Sequence, residues 1–234
     1  MIKDLKITLY DIFGYLIPGL VLFGALVIFF WSIFFPKYPL EVSYSLSPAG
    51  WIAALLSSYL CGHLAQACAN ILIRFARPTE LSELSGQKKG LPESLVQSAK
   101  IAISTKLKIK SEDITPELLY TICDEILVQR GITEYRDVYQ YREGFYRGLT
   151  VSFVVLLLSL ITRVLIPGAA LGFSGAVKAL KWQIFLFFGT LALSCVVLFY
   201  IRYRRFAKYR VRQAVIGALI LEKYGTSEKE SKGV

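Results

Sequence analysis

The chain has 234 residues, 55% of them apolar and 14% aromatic, and carries 27 Lys and Arg against 17 Asp and Glu, a formal charge of +10. A mean hydropathy of +0.51 excludes an ordinary water-soluble domain and points to a chain whose solvent is partly lipid. The charge does not imply a nucleic-acid partner: residues Arg74 to Gly148 hold 12 basic and 11 acidic side chains, so the surplus sits mainly after the last apolar stretch, where an anionic bilayer surface is expected.

A hydrocarbon core about 30 Å thick needs about 20 apolar residues at a rise of about 1.5 Å each. Four stretches meet that length, residues 14–36, 49–73, 149–166 and 182–201. The expected fold is therefore an all-α integral membrane protein with four transmembrane helices and a helical cytoplasmic insertion between spans 2 and 3. Its parts are residues 1–73 (an interfacial segment and two spans), 74–148 (the insertion), 149–203 (two spans) and 204–234 (a basic helix and a disordered tail). Positive charge after the fourth span, with Lys3 and Lys6 near the start, predicts that both termini face the cytoplasm.

In chain order, "MIKDLKITLYDIF" mixes charged and apolar residues, as an interfacial helix does. The apolar run behind it is too long for a secretory leader, and no small-residue cleavage site follows. Within "FGYLIPG", Pro18 lacks an N–H and crowds the carbonyl of Gly14, four residues back. Pro18 is expected in the first turn of the span; alternatively Gly14, Pro18 and Gly19 form a hinge.

The second span contains the chain's only His and only Asn, in "YLCGHLAQACAN". At about 100° per residue, Tyr59, His63, Gln66, Asn70, Arg74 and Arg77 fall within an arc of roughly 80°. The opposite face, Ala54, Ser57, Cys61, Ala65 and Cys68, is small enough for another helix to approach closely. Polar groups facing lipid without partners are costly, so the stripe must meet other helices, by interhelical hydrogen bonds, or a wet path. A metal site is not expected: His63 points to the far side of the helix from Cys61 and Cys68, so three ligands cannot converge. The four cysteines, three in spans, imply no disulfide framework.

The insertion opens with a Gly- and Pro-broken loop, then a helix near Pro92 to Ser104 that should bury Leu95, Ala99 and Ile103. A second helix is capped by Thr115, opened by Pro116 and ended by Gly131, with Leu119, Ile122, Ile126 and Leu127 on one face. These helices are expected to pack on each other or on a neighbouring subunit. Thr133 then caps a helix that continues into the third span, with Tyr135, Tyr139, Arg142 and Tyr146 on one face. The fourth span runs on to about Tyr224, and its basic stretch, Arg202, Arg204, Arg205, Lys208, Arg210 and Arg212, is expected against anionic lipid. Residues 167–181 either turn sharply or re-enter the membrane.

No nucleotide-binding, zincin or serine-hydrolase motif is present, and one His gives no second imidazole for a metal site. A serine, Ser152, Ser159 or Ser194, facing His63 is the one catalytic pairing the spans allow. No cofactor is expected, and no enzyme activity.

"YDIFGYLIPG", "YLCGHLAQACAN" and "RYRRFAKYRVRQAV" together resemble uncharacterised bacterial multi-pass membrane proteins with an F-G-Y-x-x-P-G start and a G-H-L-x-Q-A second span. Some similar proteins appear among genes for phage defence. The resemblance covers the membrane part only. It implies a membrane-embedded effector or sensor subunit beside a cytosolic partner and supplies no catalytic residues. The expected function is accordingly that of a non-enzymatic homo-oligomer, with residues 74–148 receiving a signal or cytosolic protein partner and the spans altering membrane permeability. The alternative is a channel or transporter with a polar path along the second span.

Overall fold

A computed structural model describes residues 2–35, 47–74, 84, 91–132, 134–165 and 176–224. Among the described residues the long elements are all helical: α1 (Ile2–Phe34), α2 (Pro48–Arg74), α3 (Glu93–Leu107), a 3-10 turn at Ser111–Asp113, α4 (Pro116–Gln129), α5 (Glu134–Leu165) and α6 (Ala176–Tyr224). Four stretches are long and apolar enough to cross a membrane, Gly14–Phe34, Pro48–Ile71, Arg136–Leu165 and Phe185–Glu222. Pro18 lies inside α1 and not in its first turn, so the preferred sequence reading is corrected. Inside the helix its missing N–H costs one bond, that to the Gly14 carbonyl, while its own carbonyl accepts from Ser152 Oγ of α5.

Arg77, the Thr133 cap, residues 166–175 and the segment after Tyr224 lie outside the described residues, as does the side chain of Arg74. Residues 176–181, part of the stretch considered as re-entrant, are the first turns of α6.

The chain packs as two units. One comprises Met1–Leu72 and Tyr141–Tyr203, the other Ile73–Gln140 and Arg204–Val234, so α5 and α6 contribute to both. In the second unit, α3 and α4 share a core with the last third of α6. Val96, Ala99, Ile103, Ile114, Leu119, Cys123 and Leu127 are covered by Val211, Ala214, Val215 and Ala218. The end of α6, read from sequence as a basic continuation of the fourth span, thus contributes to the same core as α3 and α4. Each Val, Leu or Ile so buried stabilises the unit by about 1.5–3 kcal/mol.

On α3 the buried face is Val96, Ala99 and Ile103, while Leu95 is 37% exposed, against expectation. On α4 the centre of the face is Cys123, flanked by Leu119 and Leu127, with Ile122 and Ile126 only partly buried. Burial, aided by the neighbouring Asp124 carboxylate, pushes the Cys123 thiol up to about 12.

The ends of α4 follow the sequence reading. Thr115 Oγ1 accepts the Leu118 N–H at 3.2 Å, Pro116 occupies the first turn, and Gly131 adopts φ +70, where a side chain would be strained. The start of α5 is tied to α4 by a two-point fork, Arg136 Nε and Nη2 donating to Asp124 Oδ1 and Oδ2 at 2.6 and 3.0 Å. Tyr139 packs on Phe206 and Tyr209 of α6.

The six basic residues expected at lipid divide. Arg202 and Arg205 are exposed, whereas Arg204, Lys208, Arg210 and Arg212 are half-buried. Arg210 lies 5.6 Å over the Tyr120 ring, so the apolar stripe of this amphipathic helix pulls part of the charge into protein contact.

Candidate functional site: a glycine crossing around Gln66

The first unit is organised where α1, α2 and α5 meet. Gly19 of α1 lies under the backbone of α2: an added Cβ would stand 1.7 Å from the Ser58 carbonyl oxygen. Gly62 of α2 returns the contact, its Cβ position being 2.1 Å from the Tyr15 oxygen. Two glycines one on each helix therefore set a backbone-to-backbone crossing that no larger residue permits. On α5, Gly148 faces the same point. A Cβ there would meet Gln66 Nε2 at 2.8 Å and Pro18 Cβ at 3.3 Å.

Gln66 fills the space those glycines leave and is 8% exposed. Its Nε2 donates to the Gly144 carbonyl at 2.6 Å, and its Oε1 accepts from Arg147 Nη2 and Nε at 3.1 and 3.3 Å. Arg147 lies 3.9 Å from Glu143, one turn back on α5 and 4% exposed. One carboxylate, one guanidinium and one amide thus balance in sign, as a buried polar group must. One turn further along α5, Ser152 Oγ donates to the carbonyl of Pro18 at 2.8 Å and to that of Gly148 at 2.9 Å. The proline that weakens the ladder of α1 is thereby bound to α5.

These contacts revise the reading of α2. Its buried arc is Ser58, Gly62, Ala65 and Ala69, with Gln66 at the edge. That arc falls between the two that sequence singled out, offset from each by roughly 90°. Of the expected packing residues only Ala65 is fully buried; Ala54, Ser57 and Cys61 are half-buried and Cys68 is exposed. The physical reason is the closeness of the crossing, for which a glycine serves better than Ser57 or a cysteine. Ser57 and Cys61 instead line an open apolar groove of about 540 Å³ with Phe30 and Trp31 of α1.

Of the four members of the expected polar stripe whose side chains are described, only Gln66 turns inward. His63 is exposed, its ring stacked on Tyr15 at 4.1 Å and meeting Tyr59 edge-on at 4.7 Å. Tyr59 and Asn70 are exposed as well. The serine–histidine pairing is not formed. Ser152, Ser159 and Ser194 all donate to helix carbonyls, of Pro18 and Gly148, Val155 and Thr190 respectively. Of the three residues of the alternative hinge reading, Pro18 and Gly19 are buried at the crossing, while Gly14 has nothing within 4 Å of an added Cβ.

Sequence reasoning missed Gly62, Glu143, Gly144, Arg147 and Gly148 as members of the site. The available signal was Gly144-x-x-x-Gly148, a small-residue spacing that marks close helix contact, overlooked beside the aromatic pair Phe145–Tyr146. Among the described residues, no group of three or more His, Cys, Asp or Glu gathers as metal ligands would. No family model, curated protein or solved structure matches the chain.

Proposed function

We propose that this chain is a non-enzymatic, four-span subunit of a bacterial inner membrane that works as a homo-oligomeric effector or sensor. Its second unit faces the cytoplasm and receives a signal or a cytosolic protein partner, and its spans respond by altering membrane permeability. The resemblance noted from sequence directs this activity to phage defence. The observation that carries the reading is the division of α5 and α6 between both units: each helix is unbroken, and each belongs to a polar, packed unit at one end and an apolar one at the other. A partner that loads the core of α3 and α4 therefore acts on α5, which Arg136 ties to Asp124 of α4 and whose Gly144 and Arg147 bond Gln66. Exposed Arg202 and Arg205 support the cytoplasmic assignment of that end.

The test is inducible expression in a phage-sensitive bacterium, with membrane potential and plaque counts followed together. Protection accompanied by depolarisation during infection supports the proposal. Unchanged plaque counts with unchanged potential refute it.

A second reading, a channel or transporter with its own solute, is favoured by one observation, the exposure of His63 and Asn70 on a single chain. In that reading the polar face of α2 lines what passes. Liposome flux decides: flux that His63→Ala leaves unaltered removes the conducting role of the stripe.

A further inference from the structure

With the inward face of α2 assigned, one strip of its exposed residues has a regular pattern. Leu56, Leu60, His63, Ala67 and Asn70 follow one another at spacings of four, three, four and three residues, and all five are exposed on the single chain. That alternation is the seam of a left-handed helix pair, confined to an arc of roughly 80°. None of the five belongs to the Gly62–Gln66 crossing, so the seam and the internal contact are compatible on one helix.

Two residues of the seam are polar. His63 lies eight residues inside the end of the apolar stretch Pro48–Ile71, about 12 Å along the helix, and Asn70 sits near that end. Neither side chain makes a hydrogen bond to any described residue; the imidazole is held only by ring contacts with Tyr15 and Tyr59. In a bilayer such groups need protein or water.

We propose that this seam is where a second copy of the chain docks, α2 against α2 in parallel, with His63 and Asn70 bonding across the contact. The proposal rests on the homo-oligomer part of the functional reading and names its interface. Complementarity selects the occupant. All copies in one membrane share an orientation, so a two-fold axis along the membrane normal brings each seam residue to its own equivalent at the same depth. A neutral imidazole has one donor and one acceptor nitrogen, and a carboxamide has both functions too, so His63 and Asn70 each satisfy a second copy of themselves. A single-sign charge at either position would repel its equivalent. Ala67 between them allows the close approach that interhelical hydrogen bonds require. An Asn on the seam also fixes register, since any slip leaves it against an apolar side chain.

The experiment uses full-length protein in native membranes and in mild detergent. Ala67→Cys, combined with Cys68→Ser, is oxidised with a copper catalyst and compared with the natural chain, in which the exposed thiol of Cys68 sits one residue further on and about 100° round the helix. The expected result is a dimer mass, with disulfide-linked dimer several-fold more abundant for Ala67→Cys than for natural Cys68. A dimer mass with the opposite preference overturns the seam and leaves the oligomer reading standing. A monomer mass with no cross-linking overturns both. The double variant His63→Leu/Asn70→Leu keeps the helix apolar and should weaken self-association about three- to tenfold for each bond lost. Association that is unchanged or stronger contradicts the hydrogen-bonded contact.

Discussion

Replacing Gly62 with alanine tests the crossing most directly. The added methyl would stand 2.1 Å from the carbonyl oxygen of Tyr15 and 2.7 Å from its carbonyl carbon. A carbon–oxygen contact settles at about 3.3 Å, so the shortfall is about 1.2 Å. Both obstructing atoms are backbone, and no rotamer change relieves them. Helices α1 and α2 must therefore part by about 1 Å, a gap that forfeits a quarter to a half of each affected dispersion contact. Overpacking of this kind costs about 3 kcal/mol, the upper end of the usual range, offset by the roughly 1 kcal/mol that alanine gains over glycine inside a helix. The expected net loss is about 2 kcal/mol. Gly24 is the internal control, because nothing lies within 4 Å of a Cβ there, and Gly24→Ala should be neutral or stabilising by up to about 1 kcal/mol. Unfolding by sodium dodecyl sulfate in mixed micelles, followed by far-ultraviolet circular dichroism, measures both. The double variant Gly19→Ala/Gly62→Ala should lose less than the sum of the singles, since one separation of the helices relieves both clashes. If Gly62→Ala unfolds at the same detergent fraction as Gly24→Ala, the close crossing is wrong.

Gln66→Ala removes the amide that joins Arg147 to the Gly144 carbonyl and should cost about 2–3 kcal/mol, since one lost partner is a charged group; the same detergent titration reads it. In the second unit, Leu119 is fully buried, and Leu119→Ala should cost about 2–5 kcal/mol, seen as faster proteolysis of the segment around α3 and α4. Thr115→Ala, which deletes the cap on the Leu118 N–H, should cost about 1 kcal/mol, visible as faster amide exchange in the first turn of α4. Cys123 offers a pH test. Its thiol, raised from 9.0 to about 12 in the folded chain, holds its proton more tightly folded than unfolded. Its contribution to stability is complete below pH 9 and is lost as pH rises from there towards 12. Iodoacetamide at pH 9 should therefore leave Cys123 unmodified in the native protein and alkylate it readily after denaturation.

The parts of the fold that sequence made legible are those that length, hydropathy and local chemistry decide. The four apolar stretches became α1, α2, α5 and α6, because a run that long and that apolar has few alternatives to a helix. The boundaries of α4 were readable because Thr115, Pro116 and Gly131 act within one turn of themselves. Facing was harder. Periodicity on α2 yields arcs, but Ser58–Gly62–Ala65–Ala69 and Ala54–Ser57–Cys61–Ala65–Cys68 are nearly alike in size and polarity, and what chooses between them is a glycine on another helix, Gly19. Gln66 stood in the sequence as one of six residues of a polar stripe, and its partners Gly144 and Arg147 lie 78 and 81 residues away, beyond what any local pattern reports. The tail misled for a similar reason: its Arg and Lys residues are conspicuous in sequence, while Val211, Ala214, Val215 and Ala218 between them carry the core contact.

The bond from Ser152 to the carbonyl of Pro18 spans 134 residues, and that span has a consequence for biogenesis. At a translation rate of about 5–20 residues per second, the ribosome needs on the order of ten seconds to produce the donor after the acceptor has emerged. Throughout that delay the nascent chain holds its first two spans with Gln66 and the proline carbonyl still awaiting α5. A translation stall or nonsense truncation before residue 144 would leave this half-finished intermediate in the insertion machinery, displaying polar groups that membrane proteases and chaperones can recognise. The contacts that close the crossing around Gln66 thus become available only once α5 has been made.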